Sequence, residues 1–333
     1  MVRPILAQCA GRNRVVLPEV SVTRRALLAG SAATAATLSV PALANPIERF
    51  PIWPGSPPGG EGLSVRDEVV KRSPNGPADD IAWPHVATPM LNVVPAPVPN
   101  GGAILYIPGG GYARVAVGRE GSSIARAFAA RGYTVFELLY RLPRDGWAAG
   151  PDVPLQDAQR AMRLIRAGAA KWRIDPARVA AMGFSAGGHL TARLASRSTL
   201  KTYEPVDAAD AQPARPAVVG LFFPVITMTD PVAHAHSKRE LLGGNATSDR
   251  IARFSAENGL PADMPPTLVA HAADDPVVSP ANSLTMFAAL QAARIPSELH
   301  IFEKGGHGLP LREAGKDHPW PGLFERFARN HGL

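Results

Sequence analysis

The 333-residue chain contains one cysteine, Cys9. A single thiol excludes an internal disulfide and any cysteine cluster for metal or redox work. Aromatic residues make up 6% and charged residues 19% of the chain, and no Lys/Arg stripe with interleaved aromatics occurs. No nucleic-acid partner is therefore expected. No G-x-x-x-x-G-K or G-x-G-x-x-G string follows a strand pattern, so no nucleotide and no other cofactor is expected. His234 and His236 stand close together, but no carboxylate or cysteine cluster completes a metal site, and no metal is expected. No apolar run is long and pure enough to span a bilayer, which argues against stable membrane insertion of the mature chain.

What the chain has is a basic N-terminus, much proline and glycine, and an alternation of strand and helix patterns. Arg3, Arg12, Arg14, Arg24 and Arg25 precede a mildly apolar run from Ala26 to Val40, and Ala42-Leu43-Ala44 offers a small-residue cleavage site. Thr23-Arg24-Arg25-Ala26-Leu27-Leu28 reads as a twin-arginine-type export signal over 1–44, so a periplasmic or secreted protein is expected. These 44 residues hold five Arg and one Glu, a net +4 of the chain's +7, which leaves the mature part at +3. The basic balance thus belongs largely to the signal.

Residues 45–102 are rich in proline and glycine and predict a leading segment that adds edge strands, Gly62–Val70 and Met90–Val94. Trp53 and Trp83, flanked by prolines, are expected to anchor this segment to the body. From Ala103 onward the pattern is regular. Strands are predicted at Ala103–Ile107, Tyr133–Leu139, Val179–Phe184, Ala217–Phe223, Thr267–Ala270 and Ser297–Phe302. Helices are predicted at Glu120–Arg131, Pro154–Trp172, His189–Ser196, Ala281–Ala293 and Trp320–Asn330. This alternation predicts an α/β fold with a mostly parallel, doubly wound sheet over 103–333. The long stretch Thr227–Pro266, with a short helix at Arg250–Phe254, is expected to form a partial lid over the crevice at the strand ends.

The chemistry is signalled at Gly183-Phe184-Ser185-Ala186-Gly187, where an apolar strand turns sharply into a helix. That is the context of a G-x-S-x-G nucleophile elbow. A serine hydroxyl needs a base, and the base needs a third group to hold its tautomer. Asp274 and Asp275 follow one later strand and His307 follows the next, all at the sheet edge that carries Ser185. Charge and periodicity do not separate the two aspartates. The backbone N–H of Ala186 is one candidate oxyanion donor, and Gly110 or Gly111, after the Ala103–Ile107 strand, is the other. His189 begins the outgoing helix and is expected to pack or cap. His271, His300, His318 and His331 read as structural or solvent-facing.

Taken in order, Pro108-Gly-Gly-Gly-Tyr112, Tyr140-Arg-Leu-Pro143, Pro154-Leu-Gln-Asp-Ala158, the Ser185 elbow with Gly188-His189-Leu190, His271-Ala-Ala-Asp-Asp275 and Gly305-Gly-His-Gly308 resemble the α/β-hydrolase esterases of the acetyl xylan esterase and bacterial feruloyl esterase type. The resemblance covers about Gly102 to the C-terminus. It implies Ser185 as nucleophile, His307 as base and Asp275, four residues after His271, as acid. Pro108 stands where lipase-like esterases carry His, and Phe184 where they often carry Asp, which argues against that branch. The resemblance implies hydrolysis of acyl esters, chiefly O-acetyl groups on plant polysaccharide or oligosaccharide, with an acylated carbohydrate or small ester as the partner molecule. A short-chain carboxylesterase or feruloyl esterase is the alternative. A prolyl-oligopeptidase-like peptidase is disfavoured because the chain has no room for a propeller. Nothing in the sequence specifies an oligomeric state.

Overall fold

Ala103–Ile107 carries one polar group, the Tyr106 hydroxyl, and all five residues are buried. A strand buried on both faces needs cover on both, and the rest of the chain supplies it. This computed structural model describes residues 47–333; the expected export segment, 1–44, lies outside the described residues. In chain order come β1 (Glu48–Pro51), β2 (Glu68–Lys71), β3 (Ile81–His85), β4 (Met90–Val94), β5 (Ala103–Ile107), α1 (Ser123–Ala129) and β6 (Thr134–Leu139). Then follow α2 (Val153–Ala167), α3 (Ala169–Trp172), β7 (Val179–Phe184), α4 (Ala186–Ser196) and β8 (Val219–Phe222). The chain closes with α5 (Ala235–Leu242), α6 (Ser248–Phe254), β9 (Thr267–Ala272), α7 (Ala281–Ala292), β10 (Ser297–Phe302), β11 (Arg312–Glu313), β12 (Lys316–Asp317) and α8 (Trp320–Asn330).

Eight strands form one sheet in the order β1-β4-β6-β5-β7-β8-β9-β10. The pairs β1–β4 and β4–β6 are antiparallel, and every other pair is parallel. Side chains alternate across it as the pleat requires. Leu105, Ile107 and Ala181 pack with Leu155, Met162 and Ile165 of α2 and Leu190 of α4. Ile104, Tyr106 and Met182 face the other way, onto Phe128 of α1 and Trp320, Phe324 and Phe327 of α8. The mostly parallel, doubly wound sheet is therefore present, with an antiparallel edge built by the leading segment.

That segment departs from expectation: Glu48–Pro51 and Ile81–His85 are strands that the sequence did not predict. Of the anticipated Gly62–Val70 strand only the last three residues lie in a strand, β2 (Glu68–Lys71), and it pairs with β3 in a separate two-stranded sheet. The bounds of α1 and α2 also differ, each for a physical reason. The Asp79 carboxylate accepts the N–H groups of Arg119 and Glu120 at 2.7 and 2.9 Å, and Gly121 has φ 83°. The helix therefore starts after Ser122, whose Oγ accepts from Ala125 N as an N-cap. Farther on, the Trp172 ring lies against Gly168, and α2 ends there.

The leading segment is tied in by buried polar contacts. Trp53 Nε1 donates to Asp157 at 2.8 Å, and Arg160 donates to the Ile52 carbonyl at 2.9 Å. Asp157 also accepts from Arg141, through the backbone N–H and the guanidinium, and Arg141 donates onward to the Pro58 carbonyl. Both side chains of this ion pair are fully buried. Removing one partner of such a pair typically costs about 3–5 kcal/mol, because the other charge is left unmatched. Trp83 is buried too, donating to the Val117 carbonyl at 2.9 Å. Both tryptophans are anchors. Among the described residues, no helix is long and apolar enough to cross a membrane.

Candidate active site

β7 ends at Phe184 and α4 begins at Ala186, so a single residue makes the turn. Ser185 takes it at φ 54°, ψ −122°, a conformation that costs about 1–3 kcal/mol and persists only where its surroundings hold it. The flanking glycines are sterically required. A Cβ at Gly183 would overlap Thr191 Oγ1 and the Gly187 carbonyl, and one at Gly187 would overlap the carbonyls of Ile107 and Pro108. Ser185 N donates to Phe222 O at 3.1 Å, and Ser185 O accepts from Gly188 N at 2.9 Å, which fixes the turn from both sides.

β9 and β10 run parallel to β7, and the loops at their carboxyl ends return to the same edge. They bring Asp275 and His307 to Ser185. His307 Nδ1 lies 2.8 Å from Asp275 Oδ2, and Nε2 lies 2.9 Å from Ser185 Oγ. A carboxylate only accepts, so Nδ1 carries the proton and Nε2 is free to accept from the serine hydroxyl. Burial alone would push the Asp275 carboxyl up. Hydrogen bonds from His307 and from the N–H groups of Val277 and Val278 outweigh it, and the carboxyl sits below its ordinary range. Asp274 acts elsewhere. Its Oδ1 accepts the Gly306 N–H at 2.9 Å, bracing the loop that carries His307.

The loop after β5 lies against the elbow, with Gly109 packed on the Phe184 carbonyl and Ser185 Cβ. The N–H groups of Gly110, Gly111 and Ala186 take no backbone partner. Gly110 and Gly111 have φ 136° and 68°, so this backbone needs glycine. Tyr140 OH donates to the Pro108 carbonyl at 3.0 Å and holds the loop's near end. Gly110 and Gly111 line the same cleft as Ser185 and His307.

Comparison with known proteins agrees with the fold. Residues 95–290 match the model of the BD-FAE family. The chain belongs to the BD-FAE family. It is 37% identical over 209 residues to the endo-1,4-beta-xylanase B of Butyrivibrio fibrisolvens, covering 62% of this chain and 32% of that protein. It is 33% identical over 217 residues to the acetylxylan esterase of Xylanibacter ruminicola, covering 63% and 42%. The chain thus spans about a third to two-fifths of the length of these curated relatives. Among solved structures, the acetyl ester-xyloside bifunctional hydrolase of Caldicellulosiruptor lactoaceticus superposes with a TM-score of 0.67 at 29% identity, over 87% of this chain and 98% of that one. A carboxylesterase from Lactobacillus plantarum shares the fold, with a TM-score of 0.60 at 23% identity over 81% of this chain and 98% of its own. The architecture is that of an α/β-hydrolase.

In this BD-FAE protein the relay opens into a cleft of about 900 Å³, whose lining includes Tyr106, Phe184 and Phe223 as well as Arg72 and Arg126. The Thr227–Pro266 stretch contributes His234 and His236 to the lining, and besides α6 it forms the unanticipated α5. His234 Nδ1 accepts from Ser237, and His236 Nδ1 accepts from Arg239 at 3.0 Å, so each ring carries its proton on Nε2. Among the described residues no group of three His, Cys, Asp or Glu is placed to hold a metal.

Two histidines read as structural have defined partners at the site. His271 is fully buried; its Nε2 lies 3.1 Å from Asp275 Oδ2 and 3.0 Å from the Val278 carbonyl. Both oxygens accept, so Nε2 carries the proton and Nδ1 accepts from Ser283 Oγ at 2.7 Å. Asp275 therefore receives two imidazole donors. His189, also fully buried, neither simply packs nor caps: it bonds Tyr112 OH and the Phe254 carbonyl, each at 2.7 Å. The signal available in sequence was the four-residue spacing of each histidine from Asp275 and Ser185. Their partners across the fold were not visible there.

Proposed function

We propose that the protein is an exported serine esterase that removes O-acetyl groups from plant polysaccharide such as acetylated xylan, or from its oligosaccharides. The observation that carries the reading is the continuous relay Ser185 Oγ, His307 Nε2, His307 Nδ1, Asp275 Oδ2; the N–H groups of Ala186, Gly110 and Gly111, which take no backbone partner, supply the oxyanion donors in this reading. Ser185 Oγ attacks the ester carbonyl while His307 takes its proton, and Asp275 stabilises the imidazolium. The N–H groups receive the oxyanion, each worth about 3–4 kcal/mol in favourable cases. Collapse of the tetrahedral intermediate expels the sugar alcohol, which takes the proton from His307. Water then attacks the acyl-serine by the same route, releasing acetate and restoring Ser185.

The acetyl-sugar substrate is supported by the names of the relatives from Xylanibacter ruminicola and Caldicellulosiruptor lactoaceticus. A second reading, a feruloyl or longer-chain esterase, is favoured by Tyr106, Phe184 and Phe223 in the lining of the cleft, which would suit a flat acyl group. A panel on the mature chain separates them. Acetate release from acetylated xylo-oligosaccharide is expected to exceed turnover of butyryl and feruloyl esters in kcat/KM by about tenfold or more, and a clear preference for either competitor overturns the acetyl reading. Export rests on Thr23–Leu28 and the Ala42-Leu43-Ala44 site. The protein recovered outside the cytoplasm is expected to begin at Asn45; one that retains Met1 there would refute the cleavable signal.

A further inference from the structure

Gly110, Gly111 and Tyr112 are three consecutive residues with positive φ, at 136°, 68° and 61°. Glycine adopts such backbone freely, but a bulky aromatic there is a true outlier and must be held by tertiary contacts. The contact is visible. Tyr112 is buried, and its hydroxyl lies 2.7 Å from His189 Nδ1, with the two rings edge to face at 5.7 Å and 87°.

The direction of that bond is settled by the other ring nitrogen. His189 Nε2 lies 2.7 Å from the Phe254 carbonyl, which only accepts, so Nε2 carries the proton. Nδ1 is then a lone pair, and the Tyr112 hydroxyl donates to it. Burial keeps the ring neutral, with its pKa depressed to about 3, so this tautomer holds throughout the pH range in which a histidine base works.

The ring joins three segments. His189 sits one helical turn beyond Ser185, its N–H bonded to the Ser185 carbonyl. Tyr112 ends the glycine loop, and Phe254 ends α6 of the stretch that brings His234 and His236 to the cleft. Arg193, one turn farther along α4, pins the same helix end: it donates to the Arg253 carbonyl at 2.9 Å and lies over the Phe254 ring at 4.2 Å. We propose that His189 and Tyr112 are positioning residues which lock the Gly110–Gly111 peptides at a fixed distance from Ser185, in register with α6. Their effect on the reaction passes through the backbone N–H groups they hold.

This inference rests on the esterase reading, and its test keeps the two separable. Tyr112→Phe removes one oxygen and keeps the ring. With p-nitrophenyl acetate, kcat is expected to fall about tenfold with KM unchanged within about twofold, since misplaced oxyanion donors penalise the transition state more than the bound ester. The inhibition constant for a boronic acid, which forms a tetrahedral adduct on Ser185 Oγ, is expected to rise by the same factor. His189→Gln should show the same split, and the double variant should be little worse than either single one, because both break one linkage. Values of kcat and boronate inhibition within about twofold of the parent in the variants that fold, or a loss confined to KM, would overturn the proposal. Should Tyr112→Phe fail to fold, His189→Gln decides by the same readouts. Ser185→Ala, assayed alongside, tests the underlying reading: activity there removes the esterase mechanism, whereas an inactive Ser185→Ala with an unaffected Tyr112→Phe removes only this inference.

Discussion

Ser185→Ala is expected to lower kcat for ester hydrolysis by about 10⁴- to 10⁶-fold while the far-ultraviolet circular dichroism stays that of the parent. The size follows from the geometry. The Ser185 oxygen is the atom that His307 Nε2 faces at 2.9 Å, and in the proposed mechanism it attacks the carbonyl whose oxyanion Ala186, Gly110 and Gly111 receive. Removing it leaves base and donors without a nucleophile. The residual rate is what oxyanion stabilisation and binding contribute to direct attack by water. Alanine must still occupy φ 54°, so the turn keeps its strain, and the strand before it and helix after it still impose the conformation. Steady-state hydrolysis of p-nitrophenyl acetate, with a spectrum of each protein, measures this. A rate within about tenfold of the parent would mean that another group attacks the ester.

Asp275→Asn should be the second largest effect, a loss of about 10⁴-fold in kcat, and Asp274→Asn should cost less than about tenfold. The two aspartates share a turn and are indistinguishable by charge or periodicity, yet their oxygens have different partners. Asp275 Oδ2 accepts from His307 Nδ1 and Oδ1 accepts two backbone N–H groups. With both N–H groups still to be accepted, an asparagine keeps its amide oxygen there and turns its NH₂ toward His307. The imidazole must then accept at Nδ1 and carry its proton on Nε2, the wrong tautomer to take one from Ser185. Asp274, by contrast, needs only one oxygen to accept the Gly306 N–H, which an asparagine amide also provides. Comparison of the two variants decides the assignment. Equal losses would show that His307 is held by its loop rather than by its carboxylate partner.

How much of this was legible in the chain depends on how local each feature is. The elbow could be read because an apolar strand, a glycine-flanked serine and a helix are contiguous, and the Ser–Asp–His order could be read because each residue follows its own strand. The β5 and β7 bounds have the same origin in short runs of buried side chains, and α8 in the helical spacing of Trp320, Phe324 and Phe327. β3 was not anticipated because Pro84 lies within it, and its pairing with β2 outside the main sheet leaves no period to detect. The start of α1 is dictated by Asp79, some forty residues upstream. The ties of His189 to Tyr112 and Phe254, 77 and 65 residues away, belong to tertiary structure, as does the sharing of Asp275 by two imidazoles. A histidine one turn past a serine looks like a packing residue until its neighbours are in place.

The knot of Trp53, Arg141 and Asp157 bears on modular exchange. The family match begins at residue 95, but β4, second in the sheet, ends at Val94, and the indole that meets Asp157 lies some forty residues earlier still. A recombination joint at 95 would strip one edge from the sheet and leave a buried carboxylate short of a donor. The unit that can be transplanted into a multidomain enzyme therefore starts ahead of β1, and a linker joined on its N-terminal side has to attach upstream of Glu48.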